Sequence, residues 1–220
     1  MTPIAATHVF EDAPSLADVT RRSVTILGST GSIGVNTLDV IAHARTIYGA
    51  DAFPLSALTA HNNAELLVKQ ARQFRPRRAV IGDASLFGEL KAGLAGTGIE
   101  AEAGRDAVIA AANLPSDFVM VAIMGAAAIE PALAAINRGV LVALANKECV
   151  VAAGPVFRDA MEKSGAAIIP VDSEHNAIFQ VLGSGDASEV DVVTITASGG
   201  PFREWPLEKM REATVEQAVA

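Results

Sequence analysis

The residues best suited to chemistry lie in the stretch 170–179, which reads PVDSEHNAIF. Asp172 and Glu174 are two positions apart, with Ser173 between them and His175 next to them, and the apolar run AAII leads in. If the backbone stays extended, the two carboxylates point to one face. They then repel each other unless a positive charge lies between them.

Three interpretations of this stretch are open on the residues alone. In the first, Asp172 and Glu174 are ligands of a divalent metal, because oxygen ligands suit Mg²⁺ or Mn²⁺. In the second, the two carboxyl groups share a proton for acid–base catalysis. In the third, Ser173 or Asp172 is the N-cap of a helix and Glu174 lies in its first turn. His175 and Asn176 fit supporting roles better than ligand roles.

A glycine-rich turn follows the first apolar strand, where VTIL continues into GSTGSIG. Gly-Lys-Ser/Thr does not follow, so the pattern is not a Walker loop. It is a variant of the dinucleotide turn, in which Gly28 allows the tight turn, Gly31 the approach to a phosphate and Gly34 the packing of helix on strand. The residues placed to offer N–H groups or hydroxyls to an anion are Thr30, Gly31, Ser32 and Ile33. The alternative is a βα turn that uses glycine for its geometry only.

The end of the second strand favours NADP over NAD. An acid usually stands there in NAD sites to hold the ribose 2′-hydroxyl, but this strand ends in Ala60-His61-Asn62-Asn63. A 2′-phosphate would therefore meet no repulsion. Asn62 and Asn63 are also suited to cap the following helix, and both interpretations can hold together.

Two further polar clusters end predicted strands. Asn146, Lys147 and Glu148 follow VLVALA, at the position where open α/β sheets bind ligands. Lys147 suits a phosphate or an oxyanion, and Glu148 suits Lys147 or a ribose hydroxyl; a solvent-facing helix start is the alternative. Ser198 begins a Ser-Gly-Gly segment that suits a phosphate or a turn before Pro201.

The elements that must position these residues alternate along the chain from residue 23. Strands are predicted at SVTILG, AFPLSALTA, RAVIG, DFVMVAIMG, GVLVALAN, AAIIPVD and VDVVTITAS. Helices are predicted at SIGVNTLDVIAHAR, NAELLVKQARQF, ASLFGELKAGLA, GRDAVIAAAN, AIEPALAAINRG, PVFRDAMEKSG, EHNAIFQVLG and PLEKMREATVEQAVA. Most strands are apolar on both faces, which is typical of parallel strands covered by helices. We therefore predict an α/β fold with a Rossmann-like, doubly wound, mostly parallel sheet.

Composition limits the classes of function. The chain has 220 residues, is 50% hydrophobic and carries a net charge of −8 without a Lys/Arg cluster, which argues against nonspecific binding of nucleic acid. Cys149 is its one cysteine, so a reducing cytoplasm is expected. The longest uncharged apolar run, FVMVAIMGAAAI, is short of the roughly 20 residues that a bilayer requires. Residues 1–22 lack the features of a signal or transit peptide.

Four motifs in this order, GSTGSIG, LANKE, PVDSEHNAIFQ and SGGPFRE, resemble those of the 1-deoxy-D-xylulose 5-phosphate reductoisomerase family over residues 23–220. The resemblance implies isomerisation and reduction of that phosphorylated sugar to 2-C-methyl-D-erythritol 4-phosphate in non-mevalonate isoprenoid synthesis. It further implies NADPH, one Mg²⁺, Mn²⁺ or Co²⁺ ion, and a homodimer. The composition described above predicts a cytoplasmic protein with no nucleic-acid or membrane partner.

The resemblance also implies residue roles. Contacts to NADPH are implied for Thr30, Gly31, Ser32, Ile33, Asn63, Asn146 and Glu148. Metal ligation is implied for Asp172 and Glu174, and substrate contacts for Lys147, Ser173, Glu174 and Ser198. Lys147, Asp172 and Glu174 are the implied catalytic set.

We predict three segments: a flexible tail at 1–22, an NADPH-binding domain at 23–171 and the beginning of a catalytic domain at 172–220.

Family members often have a basic residue and a glycine where this chain has His61 and Asn62. They also continue with further substrate ligands and a third metal carboxylate, so we expect little turnover from this chain alone. The alternatives are an NADP-dependent oxidoreductase of the homoserine or aspartate-semialdehyde dehydrogenase type, and a non-catalytic nucleotide-binding module.

Overall fold

A computed structural model describes residues 15–183, 188, 190–194 and 200–219. The chain divides into two compact units, Met1–Asn176 and Ala177–Ala220. The strands of the first unit are β1 Val24–Leu27, β2 Leu55–Ala60, β3 Arg78–Ile81, β4 Glu100–Ala103, β5 Phe118–Val121, β6 Leu141–Leu144 and β7 Ala167–Pro170. The helices before β7 are α1 Leu16–Thr20, α2 Ser32–Tyr48, α3 Ala64–Phe74, α4 Phe87–Gly93, α5 Arg105–Ala112, α6 Ile129–Asn137 and α7 Lys147–Ser164. Helix α8, Ser173–Leu182, crosses the boundary between the units, and α9 Leu207–Met210 and α10 Val215–Ala218 lie in the second unit.

The seven strands form one sheet in the order β4-β3-β2-β1-β5-β6-β7, and every described pair is parallel. The chain runs outward from β1 to β4 and then returns to place β5 against the other side of β1. The strand order therefore reverses between β1 and β5, and open α/β sheets bind ligands at such a switch point. The predicted Rossmann-like, doubly wound fold is confirmed.

Two apolar cores lie on opposite faces of the sheet. Along β1, Val24 and Ile26 belong to the core that includes residues of α2, α3 and α4, whereas Leu27 belongs to the core that includes residues of α5, α6 and α7. All residues of β1 and β2 are buried. Coverage on both faces explains why these strands are continuous apolar runs instead of alternating ones.

Strand β4 was missed by the sequence analysis because its sequence, EAEA, lacks β-branched residues. It is an edge strand paired to β3, and charge stabilises it: Arg78 lies 2.6 Å from Glu100 and 3.2 Å from Glu102. Ala101 and Ala103 pack against the core on the other face. The predicted seventh strand, VDVVTITAS, has no strand over its described residues 190–194, and the rest of it lies outside the described residues.

Helix α7 begins eight residues earlier than predicted, at Lys147 instead of Pro155. Asn146 caps it, and the helix kinks at Ala153, whose φ of −129° is not helical. Pro155 lacks an N–H group and clashes with the preceding turn, so it bends the helix without ending it. The predicted C-terminal helix is two short helices, α9 and α10, and α1 lies within the segment predicted as a tail.

In the second unit, Phe202 and Trp205 pack edge to face with ring centroids 5.0 Å apart. Lys209 Nζ lies 4.2 Å from the centroid of the Trp205 ring, within cation–π range. In the part of the chain that the structure describes, no helix is long and apolar enough to cross a membrane.

Candidate functional site at the carboxyl edge of the sheet

Residues predicted from separate motifs follow strands of the one parallel sheet. Residues 30–33 follow β1, Asn63 follows β2, residues 146–148 follow β6, and residues 172–174 follow β7. Because the strands are parallel, all of these segments lie at the same edge of the sheet. Four strand spacings separate β2 from β7, or about 20 Å. The remaining predicted residue, Ser198, lies outside the described residues.

Two of the three glycines in the turn are required by the fold itself. A Cβ on Gly28, whose φ is +89°, would lie 2.7 Å from the carbonyl oxygen of Ala122 in the segment after β5. A Cβ on Gly34 would overlap the carbonyl oxygen of Gly28 and lie 2.5 Å from Ser29 Cα. The turn therefore packs directly on backbone at the β1–β5 switch point.

Gly31 is different, because the fold does not need a glycine at this position. Its φ is −78°, and a Cβ would lie 3.7 Å from Gly28 O, which is ordinary van der Waals contact. The residue is exposed at the N-cap of α2. The absence of a side chain therefore leaves room for a group outside the described chain.

Backbone donors face this room at the start of α2. The N–H groups of Thr30, Ser32 and Ile33 have no backbone or side-chain acceptor among the described residues, whereas Gly31 N donates to Gly28 O at 3.3 Å. Unpaired N–H groups and the positive end of a helix dipole favour an anion. The turn thus offers free donors and space that suit an anion such as a phosphate.

The second strand ends in a helix cap, as one of the alternatives predicted. Asn63 Oδ1 accepts a hydrogen bond from Leu66 N at 3.0 Å and so starts α3. His61 and Asn62 are exposed before it. The Asn63 side-chain oxygen is therefore occupied by the helix. The strand end itself, residues 60–63, carries no carboxylate.

Asn146 is a buried side chain, 3% exposed, that ties two loops of the site together. Its Nδ2 donates to the carbonyl oxygens of Ile123 at 2.7 Å and Gly125 at 2.8 Å, and its Oδ1 accepts from Cys149 N at 3.0 Å. The amide thus caps α7 and holds the segment after β5 against the segment after β6. Its first role in this chain is to fix the shape of the site.

Replacing Asn146 with alanine should lower the free energy of unfolding by about 2 kcal/mol or more, because a cap and two buried hydrogen bonds are lost together. Urea denaturation would measure the loss, and faster amide exchange in residues 123–125 would locate it. Asn113→Ala is the matched control, since exposed Asn113 donates one 3.3 Å bond, to Ile109 O, and should change stability by less than about 0.5 kcal/mol. Equal effects of the two substitutions would contradict this assignment.

The carboxylates after β7 lie at the start of a helix, so the extended backbone assumed for residues 172–174 is not present. Helix α8 begins at Ser173, and Asp172 Oδ1 accepts from His175 N at 3.0 Å, as an N-cap does. Asp172 Oδ2 lies 2.9 Å from His175 Nδ1. Lys147 Nζ, from the neighbouring strand end, lies 3.8 Å from Glu174 Oε2.

Electrostatics keep the Asp172 carboxylate charged. Burial alone would raise its pKa, but hydrogen bonds from the His175 backbone and ring, with the charges of His175 and Lys147, bring the pKa below its usual value. Asn176 Nδ2 donates to Pro170 O at 2.7 Å, so His175 and Asn176 both support the segment. Among the described residues, no group of three or more His, Cys, Asp or Glu side chains could hold a metal ion.

Cys149 is fully buried in the α7 core, and burial followed by the charge of Glu148 raises the pKa of its thiol to about 11. A thiol of this kind is protonated at neutral pH and is a weak nucleophile. Cys149 therefore acts as an apolar core residue beside the site.

Comparison with known proteins places this arrangement in a family. The family model described as 1-deoxy-D-xylulose 5-phosphate reductoisomerase matches residues 24–154, and the model for the C-terminal domain of that enzyme matches residues 168–220. The chain belongs to the 1-deoxy-D-xylulose 5-phosphate reductoisomerase family. The resemblance of the four motifs is therefore confirmed, and the homoserine or aspartate-semialdehyde dehydrogenase alternative is set aside.

Curated reductoisomerases align with nearly all of the chain. The protein of Nitrobacter hamburgensis is 51% identical over 198 residues, which are 90% of this chain and 47% of that protein. The protein of Rhodopseudomonas palustris is 52% identical over the same shares of the two chains. The chain spans about half the length of the curated relatives it matches.

Solved reductoisomerase structures share the fold. The Zymomonas mobilis enzyme in complex with NADPH superposes with a TM-score of 0.78 at 47% identity, covering 90% of this chain and 51% of that one. A reductoisomerase in complex with NADPH, fosmidomycin and magnesium gives a TM-score of 0.73 at 32% identity, covering 90% and 50%. The first of these relatives was solved with NADPH, and the second with NADPH, fosmidomycin and magnesium.

Three buried polar residues near the glycine-rich turn were not predicted from the sequence. They are Ser29, Thr59 and Gln70, which are 0%, 1% and 5% exposed. They hydrogen-bond around the first half of the glycine-rich turn. No short motif reveals this contact, because Ser29 and Gln70 are 41 residues apart in the chain and meet only when α3 packs beside the turn.

Proposed function

We propose that this chain forms the cofactor-binding part, and two of the metal ligands, of a protein that isomerises and reduces 1-deoxy-D-xylulose 5-phosphate to 2-C-methyl-D-erythritol 4-phosphate. One observation carries the proposal. In a member of the reductoisomerase family, a glycine turn with unpaired N–H donors and a pair of carboxylates lie on the same edge of one sheet. The turn suits a dinucleotide phosphate, and the carboxylates suit a divalent cation.

The residues of the turn fit NADPH. Thr30, Gly31, Ser32 and Ile33 would hold the pyrophosphate, with Gly31 leaving the space for its approach. Asn63 would lie beside the ribose 2′-phosphate, and the absence of an acid from residues 60–63 favours NADP over NAD. NADPH, when bound, supplies hydride to a carbonyl carbon.

The segments after β6 and β7 fit the substrate and the metal. Asp172 and Glu174 would ligate Mg²⁺, Mn²⁺ or Co²⁺, which supplies Lewis acidity toward substrate oxygens when bound. Lys147 and Ser173 would contact the substrate, with Lys147 positioned by Glu174 at 3.8 Å. Ser198 is proposed for the substrate on its motif alone.

Buried Asn146 would place the first turn of α7, and Glu148, exposed in that turn, would contact the cofactor from its side. The Asn146 hydrogen bonds hold the segments after β5 and β6 together. The same turn of α7 places the Lys147 ammonium next to the Glu174 carboxylate. We further propose a cytoplasmic homodimer for the whole protein. The proposed domain division is a cofactor domain over 23–171 and the start of a catalytic domain at 172.

Titration of the 220-residue chain with NADPH and NADH, followed by nicotinamide fluorescence, tests the cofactor assignment. We expect NADPH to bind at least tenfold more tightly than NADH, because its 2′-phosphate adds a favourable contact. Equal affinities would contradict the NADP preference, and no binding of either would contradict the proposed function. Consumption of NADPH by the whole protein with 1-deoxy-D-xylulose 5-phosphate and Mg²⁺ tests the reaction.

A further inference from the structure

Gln70 is a buried amide that reaches from α3 to the glycine-rich turn. It is 5% exposed, and Ser29, its partner, is fully buried. Gln70 Nε2 donates to the carbonyl oxygen of Ser29 at 2.8 Å, and Gln70 Oε1 accepts from Ser29 Oγ at 2.7 Å. Both ends of the amide are therefore used on one residue of the turn.

Strand β2 holds the same turn from a second direction. Ser29 N donates to Thr59 O at 2.7 Å, and Gly28 N donates to Thr59 O at 3.1 Å and to Thr59 Oγ1 at 3.0 Å. The N–H group, carbonyl and hydroxyl of Ser29 thus all have buried partners. The orientation of the peptide that leads into Thr30 and the unpaired donors is fixed by these bonds.

An amide is not needed at position 70 for packing. Its neighbours on the buried face of α3, Leu67, Ala71 and Phe74, are apolar and join the core. A buried amide is unfavourable unless both its donor and its acceptor are satisfied, whereas an apolar side chain of similar volume would hold the helix as well. What the amide adds is direction, because it fits only one orientation of the Ser29 peptide.

We propose that Gln70 is a positioning residue for the dinucleotide, which sets the phosphate-binding turn relative to α3. The inference rests on the proposed NADPH function. Gln70 lies about two helical turns from Asn63, the N-cap of α3 beside the proposed 2′-phosphate position. Gln70 therefore connects the phosphate-binding turn to α3, whose N-terminus lies at Asn63. A single NADPH molecule must contact both of these parts of the site.

Gln70→Leu in the 220-residue chain tests this relation. We expect the Kd for NADPH to rise at least tenfold, because the turn loses its fixed orientation. Adenosine 2′-phosphate lacks the pyrophosphate and contacts one part only, so its Kd should stay within twofold of wild type. Calorimetric titration measures both, with circular dichroism to verify that the variant is folded.

Ser29→Ala and Leu90→Ala sharpen the test. Ser29→Ala keeps the carbonyl bond to Gln70, so it should weaken NADPH binding by about threefold, and it decides the matter alone should Gln70→Leu not fold. Leu90, fully buried on α4 away from the turn, supplies the control: Leu90→Ala should lower the urea midpoint and leave the Kd for NADPH within twofold.

An unchanged Kd for NADPH in Gln70→Leu, or in Ser29→Ala where that variant decides, would overturn the positioning role. An equal loss of adenosine 2′-phosphate binding would also overturn it, since that result indicates general loosening. Failure of wild type to bind NADPH is a separate outcome and would count against the proposed function itself.

Discussion

Replacing Gly34 with alanine should abolish measurable binding of NADPH and lower the free energy of unfolding by about 3 kcal/mol or more. The added Cβ would overlap the Gly28 carbonyl oxygen and lie 2.5 Å from Ser29 Cα and 2.7 Å from Ser29 C. All three are backbone atoms of a turn that is hydrogen-bonded to β2. Helix α2 must therefore move away from β1, which separates the N–H donors from the turn. Urea denaturation and a fluorescence titration with NADPH would measure the two losses.

Gly31→Ala is the matched control, because the same substitution three residues earlier meets only ordinary contacts of 3.7 Å and 3.9 Å. Its backbone conformation is open to alanine, so stability should stay within about 1 kcal/mol of wild type or rise slightly. The Kd for NADPH should nevertheless increase at least tenfold, because the methyl group occupies the space proposed for the phosphate. If Gly31→Ala bound NADPH normally, or if Gly34→Ala kept wild-type stability, the separate roles assigned to these glycines would be wrong.

The fold could be predicted from the sequence where strands are buried on both faces, because such strands are continuous apolar runs. Strands β1, β2, β5 and β6 are of this kind, and each was predicted to within a few residues. Strand β4 could not be recognised, since it is stabilised by pairing with β3 and by the core contacts of Ala101 and Ala103, and the Arg78 that pairs with Glu100 is 22 residues away in the chain. The start of α7 was missed for a related reason: Pro155 is a strong local signal, whereas the Asn146 cap is only apparent once the helix is seen to continue through the kink.

The site could be predicted as a set of segments but not as a geometry. Alternation of strands and helices is enough to bring Thr30, Lys147 and Asp172 to one edge, because parallel strands share their direction. It does not reveal that the Asn146 amide is used within the protein, or that Gln70 supports the turn from a different helix. Such contacts depend on the distance between packed elements, which no short motif encodes.

Asp172→Asn should remove binding of Mn²⁺ or Mg²⁺ at the carboxyl edge, with affinity falling by roughly tenfold or more, while stability stays within about 0.5 kcal/mol of wild type. Asparagine caps helices as well as aspartate does, so its Oδ1 can still accept from His175 N, which now lies 3.0 Å from Asp172 Oδ1. The negative charge that a hard cation requires is lost. Titration with Mn²⁺, followed by electron paramagnetic resonance, measures the affinity, and urea denaturation measures the stability.

Asp172→Ala tests the helix-cap role and the metal-ligand role of Asp172 together. It removes both the cap and the charge, so it should lose metal affinity as Asp172→Asn does and also about 1 kcal/mol of stability.

Unfolding at acid pH gives an independent check of the Asp172 charge. The pKa of Asp172 is lower in the folded chain, so its stabilising contribution is present above the usual aspartate pKa and is lost as the pH falls through the lowered value. Asp172→Asn should lack that part of the acid transition. Wild-type metal affinity in Asp172→Asn would show that the residue is a cap alone, because this substitution removes the negative charge and keeps the cap.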